Sequence, residues 1–334
     1  MLGGVAMTRV AVVQAAPVVF NCDRTLEIVA DWTREAAADG AKLVLFPEAF
    51  VSGYPKGLDF GARVGMRTAA GRDDYLRYWD SAVDVPGPAV DRIGAIARQY
   101  RVYLIIGVIE RSAGTMYCTV LFFDPEGQLL GKHRKLMPTG AERLVWGFGD
   151  GSTMPVFETA LGRLGAVICW ENYMPAMRLY MYSKGIQIYC APTADDRETW
   201  VSSMRHIAME GRCFVLSANQ YTKRKDFPDD YDTVQGNDPE TVVSRGGSCI
   251  VDPFGQLLAG PHYEGPSLLI ADLDSRDLAR AKYDFDVVGH YARPDVFRLE
   301  VNERPTTAVA ASGECPPNPD AKQPSDVSDC ASQT

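Results

Sequence analysis

The chain has 334 residues, 46% of them apolar, enough to bury a sizeable core in a globular protein. With 43 acidic residues against 34 basic ones the net charge is −9, and no Lys/Arg face offsets it, which argues against a nucleic-acid partner. The start carries neither a basic segment nor a sustained apolar one, and no apolar run is long enough to span a bilayer, so a cytoplasmic protein without a membrane partner is expected.

Residues 8–14 read as a buried strand. Asn21 or Asp23 then caps a helix that keeps Leu26, Val29, Ala30, Ala36 and Ala37 on one side and ends at Gly40. A second apolar strand covers 42–46. The spacing of Val90, Ile93, Ile96 and Ala97 predicts a helix over 88–100. Strands 103–109 and 116–123 follow, joined through Ser112-Ala113-Gly114, a hairpin signal. The second half repeats the rhythm: strand 163–168, helix 175–184 closed by Gly185, strand 186–191, helix 199–211 and strand 213–219. A late hairpin joins 248–251 to 256–259, and strand 267–272 comes after it. Residues 223–239, rich in Asp, Pro and charge, read as a long surface loop. From Asn302 onward prolines and small polar residues dominate, so a single domain over 1–300 and a disordered tail over 301–334 are expected.

One echo runs through the chain. Asp124-Pro-Glu-Gly-Gln-Leu-Leu130 closely matches Asp252-Pro-Phe-Gly-Gln-Leu-Leu258, each placing a Pro-x-Gly turn between an apolar strand and a Gln-Leu-Leu strand. Common turn residues can coincide, or two halves of one domain share an architecture. In the second case two sheets packed face to face, with helices outside, would bury both apolar faces.

The eight cysteines are scattered, with neither the density of a disulfide scaffold nor C-x-x-C spacing, which fits reduced thiols. The histidines, His133, His206, His262 and His290, lack metal-ligand spacing, so no metal is expected. Gly147-Phe-Gly-Asp-Gly151 superficially suggests a phosphate loop, but neither strand nor helix flanks it, and no cofactor is expected.

Three islands follow apolar strands. Glu48 comes directly after one, in Leu45-Phe-Pro-Glu48, where a charge is costly without a task or a partner. Lys132-His-Arg-Lys135 by itself is a solvated basic run. Cys169, at the end of Gly165-Ala-Val-Ile-Cys169, by itself is a core cysteine. Together and in this order they resemble the Glu-Lys-Cys signature of the carbon–nitrogen hydrolase superfamily, over roughly residues 8–300. Phe46-Pro-Glu48, Arg134-Lys135-Leu136 and Cys169-Trp-Glu-Asn172 match its three motifs. Cys169-Trp-Glu-Asn-Tyr-Met-Pro175, Trp146-Gly-x-Gly-Asp-Gly151 and Gly289-His-Tyr-Ala-Arg-Pro-Asp-Val-Phe297 are similar to segments of the nitrilase branch. Ile188-Tyr-Cys-Ala-Pro-Thr-Ala-Asp195 and Ser217-Ala-Asn-Gln220 resemble the plant β-cyanoalanine nitrilases and their bacterial relatives.

The resemblance implies an α/β fold, a four-layer α-β-β-α sandwich with two internally similar halves, assembled into a homodimer or a larger spiral homo-oligomer. It implies hydrolysis of a small-molecule nitrile by water, with Cys169 as nucleophile, Glu48 as general base and Lys135 as the cation facing the nitrogen. Glu142 carries over as the family's second glutamate. Tyr54, Trp170, Thr193 and His206 are candidate pocket residues because they neighbour the motifs or the strand ends, although ordinary packing explains each of them equally well. β-Cyanoalanine and arylaliphatic nitriles are the expected substrates. An amidase or carbamoylase of the same superfamily is the nearest alternative, and a non-catalytic binding or scaffold protein a more distant one.

Overall fold

The computed structural model describes residues 7–307 of the chain. In chain order the first half runs β1 (Met7–Gln14), α1 (Cys22–Ala38), β2 (Leu43–Leu45), α2 (Ala69–Ser81), α3 (Pro88–Tyr100), β3 (Tyr103–Ser112), β4 (Thr115–Phe123) and β5 (Leu129–Arg134). The second half runs β6 (Val156–Thr159), β7 (Gly162–Ala166), α4 (Pro175–Ser183), β8 (Ile188–Cys190), α5 (Glu198–Gly211), β9 (Phe214–Ser217), β10 (Ser248–Val251), β11 (Leu257–His262), β12 (Ser267–Asp274) and α6 (Arg276–Asp284).

Successive side chains on a strand point to opposite faces, and here both faces are buried. Val10, Val12, Leu43, Leu45, Ile105, Val120 and Phe122 of one sheet meet Leu164, Ala166, Ile188, Cys190, Phe214, Leu216 and Ile250 of the other in the central core. The intervening Ala11, Val13, Val44, Leu104 and Ile106 turn outward onto Leu26, Val29 and Ala36 of α1 and Val90, Ile93 and Ala97 of α3. Tyr189, Val215, Cys249 and Val251 likewise pack on α4 and α5 through Met177, Met181, Trp200, Met204 and Ile207. The layers are therefore helix, sheet, sheet, helix.

The two sheets share one topology. The first is ordered β12-β1-β2-β3-β4-β5, with the short strand Val83–Asp84 beside β3, and the second β6-β7-β8-β9-β10-β11 read from the corresponding end. In each, three central strands are parallel, namely β1, β2 and β3 or β7, β8 and β9. An antiparallel meander continues from the third strand, and an antiparallel strand closes the other side. The repeated heptapeptides form the equivalent β4–β5 and β10–β11 hairpins. Asp124 Oδ1 accepts from the N–H groups of Glu126 and Gln128 at 3.0 and 2.8 Å, and Asp252 Oδ1 from those of Phe254 and Gln256 at 2.9 and 2.8 Å. Gly127 and Gly255 take φ of +81° and +80°, a backbone state that glycine adopts without strain. The echo thus reports an internal repeat.

Some elements carry no periodic signal. α2 buries only Gly71, Tyr78 and Ser81, and α6 only Leu278 and Ala281, too few anchors to stand out from a polar sequence. The loop expected over 223–239 is not wholly superficial. Phe227 and Tyr231 form a small core with Val19 and Val243, and the buried Arg224 guanidinium donates to the carbonyls of Pro228 and Asp229 at 3.0 and 2.8 Å. The tail expected to be disordered falls outside the described residues from 308 onward. Of its first part, Val301 packs against the α4–α5 layer, Glu303 pairs with Lys184 at 3.1 Å, and the Thr306 N–H donates to Asp150 at 2.7 Å. Contacts with the folded domain, apolar at Val301 and polar at Glu303 and Thr306, therefore extend a few residues past the expected boundary.

Candidate active site

Parallel strands present their carboxyl ends on one edge, and ligands bind there in α/β sheets. Continuing past β2, the chain reaches Glu48; past β7, Cys169; past β8, Thr193. The sheet repeat makes Phe46-Pro-Glu48 and Ala191-Pro-Thr193 equivalent, because β2 and β8 occupy the same place in their sheets. Lys135 follows β5, and its N–H is held by the Cys118 carbonyl at 2.8 Å.

The side chains converge between the two sheets. Lys135 Nζ lies 2.6 Å from Glu48 Oε1 and 2.7 Å from Glu142 Oε2, and Glu48 and Lys135 are fully buried. Glu142 is fixed further by the Tyr54 hydroxyl at 2.7 Å and the Thr139 N–H at 2.7 Å. Thr193 Oγ1 donates to Cys169 Sγ at 3.3 Å. The Gln220 amide donates to the Glu48 carbonyl at 2.8 Å, pinning the backbone that carries the carboxylate. Lys135 Nζ also sits 5.5 Å from the centroid of the Trp146 ring, whose edge packs on Tyr54.

Cys169 has φ +49° and Ala49, next to Glu48, also has φ +49°. Such left-handed values in residues with a Cβ cost energy and recur at functional sites, where surrounding contacts enforce them. Here the Cys169 N–H is bonded to the Pro192 carbonyl at 2.9 Å, and a short 3-10 turn, Cys169–Tyr173, follows at once.

Burial raises the Glu48 carboxyl above the ordinary carboxylate range, with Lys135 pulling in the opposite direction. For Lys135 burial opposes the charge, but Glu48 and the other anionic partners outweigh it and hold the ammonium well above its ordinary value. Burial and then Glu48 push the Cys169 thiol up. At rest the site is a thiol beside a carboxylate and an ammonium, arranged so that one carboxylate can take the thiol proton and one cation can face a developing negative charge.

Of the residues expected at the site, Glu48, Lys135, Glu142, Cys169, Tyr54 and Thr193 are brought together. Trp170 adjoins Cys169, but its indole N–H turns to Asp195 at 2.8 Å and the side chain is partly exposed. His206 is not brought there, which corrects the expectation. It lies on the solvent side of α5, 63% exposed, 3.8 Å from Glu210 one turn along the same helix. Its place in sequence between two motif-bearing stretches says nothing about which side of the helix it occupies.

Other groups at the site had no sequence signal or were read differently. Cys118, in mid-strand, puts its thiol 3.5 Å from Glu48 Oε1. Arg197 closes on Asp195 and stacks 4.9 Å over Trp170. His133 and Glu171 are both buried and 2.9 Å apart. Glu171 stands inside the cysteine motif and His133 directly before the lysine motif, and nothing in the sequence pairs them.

The carbon–nitrogen hydrolase profile matches residues 9–283. A bifunctional nitrilase/nitrile hydratase of Lupinus angustifolius is 56% identical over 306 residues, covering 90% of this chain and 88% of the relative. An aliphatic nitrilase of Sinorhizobium fredii is 58% identical over 301 residues, covering 90% and 97%. Nitrilase 2 of Arabidopsis thaliana is 54% identical, covering 91% of each. Among solved structures, an amidase from Nesterenkonia sp. superposes with a TM-score of 0.62 at 23% identity, over 83% of this chain and 95% of the other, a likeness of fold. A profile that spans the sandwich, and relatives at 54–58% identity along nearly the whole chain, establish that this protein belongs to the carbon–nitrogen hydrolase family.

Proposed function

We propose that this enzyme is a nitrilase that hydrolyses an organic nitrile to a carboxylic acid and ammonia through covalent intermediates on Cys169. The enclosed Glu48–Lys135–Glu142 cluster at the Cys169 thiol carries this reading. A nitrile carbon is a weak electrophile, and thiolate rather than thiol attacks it. As Sγ bonds to the carbon, Glu48 takes the thiol proton and returns it to the nitrogen, giving a thioimidate. Lys135 faces the nitrogen while negative charge develops there, the logic of an oxyanion hole. Water then adds with Glu48 as base. Rupture of the C–N bond with protonation of the nitrogen releases ammonia and leaves a thioester. A second water, activated in the same way, frees the acid and restores the thiol.

The tetrahedral intermediate has a second outlet. Rupture of the C–S bond instead releases an amide, and one of the relatives bears the name of a bifunctional nitrilase/nitrile hydratase. β-Cyanoalanine and arylaliphatic nitriles are the substrates we favour, on the motif resemblance. Tyr54, Trp170 and Thr193 are assigned to the pocket wall by their place around Cys169. We further assign a cytoplasmic site, in keeping with six cysteines free among the described residues, and self-assembly into a dimer or larger homo-oligomer, supported by the exposed Tyr283, Tyr291, Val296 and Phe297 beyond the last strand. No helix among the described residues is long and apolar enough to cross a membrane.

The deciding experiment is ammonia release across a panel holding β-cyanoalanine, phenylacetonitrile, benzonitrile and aliphatic dinitriles beside the matching amides. Turnover of nitriles with acid as the main product is expected. Turnover of amides alone would replace the reading by an amidase.

A further inference from the structure

Glu171 is 1% exposed and takes no part in the chemistry described above, yet its carboxylate touches both halves of the site. Oε1 accepts from the N–H of Leu136, the residue after Lys135, at 2.5 Å. Oε2 accepts from the N–H of Ile168, the residue before Cys169, at 2.9 Å. The two peptide groups belong to different sheets, one following β5 and the other β7. A single carboxylate thus spans the gap between the lysine loop and the nucleophile turn.

The third donor to Glu171 is His133. Its Nε2 lies 2.9 Å from Glu171 Oε2 and its Nδ1 lies 2.6 Å from the Thr153 carbonyl, with the ring fully buried. A carboxylate and a carbonyl only accept hydrogen bonds, so each ring nitrogen must carry a hydrogen for both contacts to hold. A neutral ring would leave one nitrogen lone pair facing an oxygen in a buried place. The chain neighbours of His133 do not share its partner. Lys132 and Arg134 turn to the other side of β5, where both bind Glu110, and Asp150 is occupied by Ser152 and Thr306.

We infer that Glu171 is a positioning residue, which fixes the distance between Cys169 and Lys135 by holding both of their loops, with a doubly protonated His133 as its buried counter-ion. The inference rests on the roles given above to Cys169 and Lys135. Burial works against the imidazolium, but the Glu171 carboxylate outweighs it and holds the ring above its ordinary value of 6.5. A histidine with a raised folded value keeps its charge below that value and loses it as pH rises through it. The brace is therefore intact on the acid side of that raised value and slackens as pH rises through it.

Glu171→Gln and His133→Gln test it. A displacement of about 1 Å in a catalytic group costs up to ~10²-fold, so Glu171→Gln is expected to lower kcat at least ~10-fold with a smaller change in KM. The rate at which iodoacetamide alkylates Cys169 should fall alongside. Wild-type alkylation is expected to fall below the rise that thiol ionisation alone would give as pH climbs through the His133 value, and His133→Gln should abolish that loss. Nitrogen NMR of histidine-labelled wild-type protein, with His133→Gln to assign the signal, should show both ring nitrogens protonated at neutral pH. A neutral His133 ring would overturn the inference, as would a Glu171→Gln protein with wild-type kcat and alkylation profile. The spectrum decides even if Glu171→Gln does not fold. Alkylation decides even if no nitrile is turned over, which separates failure here from failure of the nitrilase reading.

Discussion

Cys169 is protonated at rest because burial and the Glu48 carboxylate both disfavour its thiolate, so attack requires Glu48 to accept the proton as the new bond forms. Cys169→Ala is expected to abolish turnover and leave the fold intact, as read by ammonia release and circular dichroism. Cys190 sits in the central core with its thiol pushed up by burial alone, no charged group contributing, and Cys190→Ala should cost activity far less. Lys135→Gln and Glu48→Gln keep the volume and remove the charge. Each should slow kcat at least ~10²-fold, the scale of one acid–base or charge-stabilising group. Glu48 must be ionised to act as base, and its folded value is raised, so kcat/KM should decline as pH falls through a value above 4.5, the ordinary one for a glutamate. A profile flat down to that ordinary value would remove Glu48 as the titrating base.

At the scale of elements, the two sheets are held in shape by short, specific turns. Helix α3 and the β4–β5 hairpin touch backbone to backbone: a Cβ on Gly94 would lie 2.5 Å from the Gly127 carbonyl oxygen. Gly94→Ala is therefore expected to destabilise the protein by about 1–3 kcal/mol, the usual cost of overpacking, measured by urea unfolding. In both hairpins one aspartate oxygen ties down two backbone N–H groups, so Asp124→Ala and Asp252→Ala should each lose about 1–3 kcal/mol. Unequal losses would show that the repeat is one of shape and not of energetics. The two heptapeptide hairpins, most of the strands and helices α1, α3, α4 and α5 were legible in the sequence, since each combines clear periodicity with turn or cap chemistry, whereas the four-residue edge strand β6 was not. Helices α2 and α6 were not, because a helix that buries two or three residues leaves no stripe to read.

For the molecule as a whole, the core lies within the four layers; beyond residue 300 Val301 still packs on it, and Glu303 and Thr306 bind Lys184 and Asp150 at the surface. Residues 308–334 contain prolines and polar residues with few large apolar ones. Ending the chain after Thr307 should leave the melting temperature nearly unchanged, whereas ending it after residue 300 should lower it, as scanning calorimetry would show. Light scattering on the same proteins would show whether assembly depends on the removed residues.

The sequence by itself determined the alternation of strands and helices, the two matching heptapeptides, the order of the Glu, Lys and Cys islands and the family resemblance, because these are carried by local periodicity, turn residues and short contiguous motifs. That the heptapeptides mark an internal repeat was decided by the sheet topology. Only the tertiary structure decided which side chains meet. It set Tyr54 on Glu142 and Thr193 on Cys169, moved His206 to the solvent side of α5, and joined His133 to Glu171 across the two sheets. The reason is geometric: partners dozens of residues apart are matched by sheet register and strand-end direction, neither of which any single stretch of sequence contains.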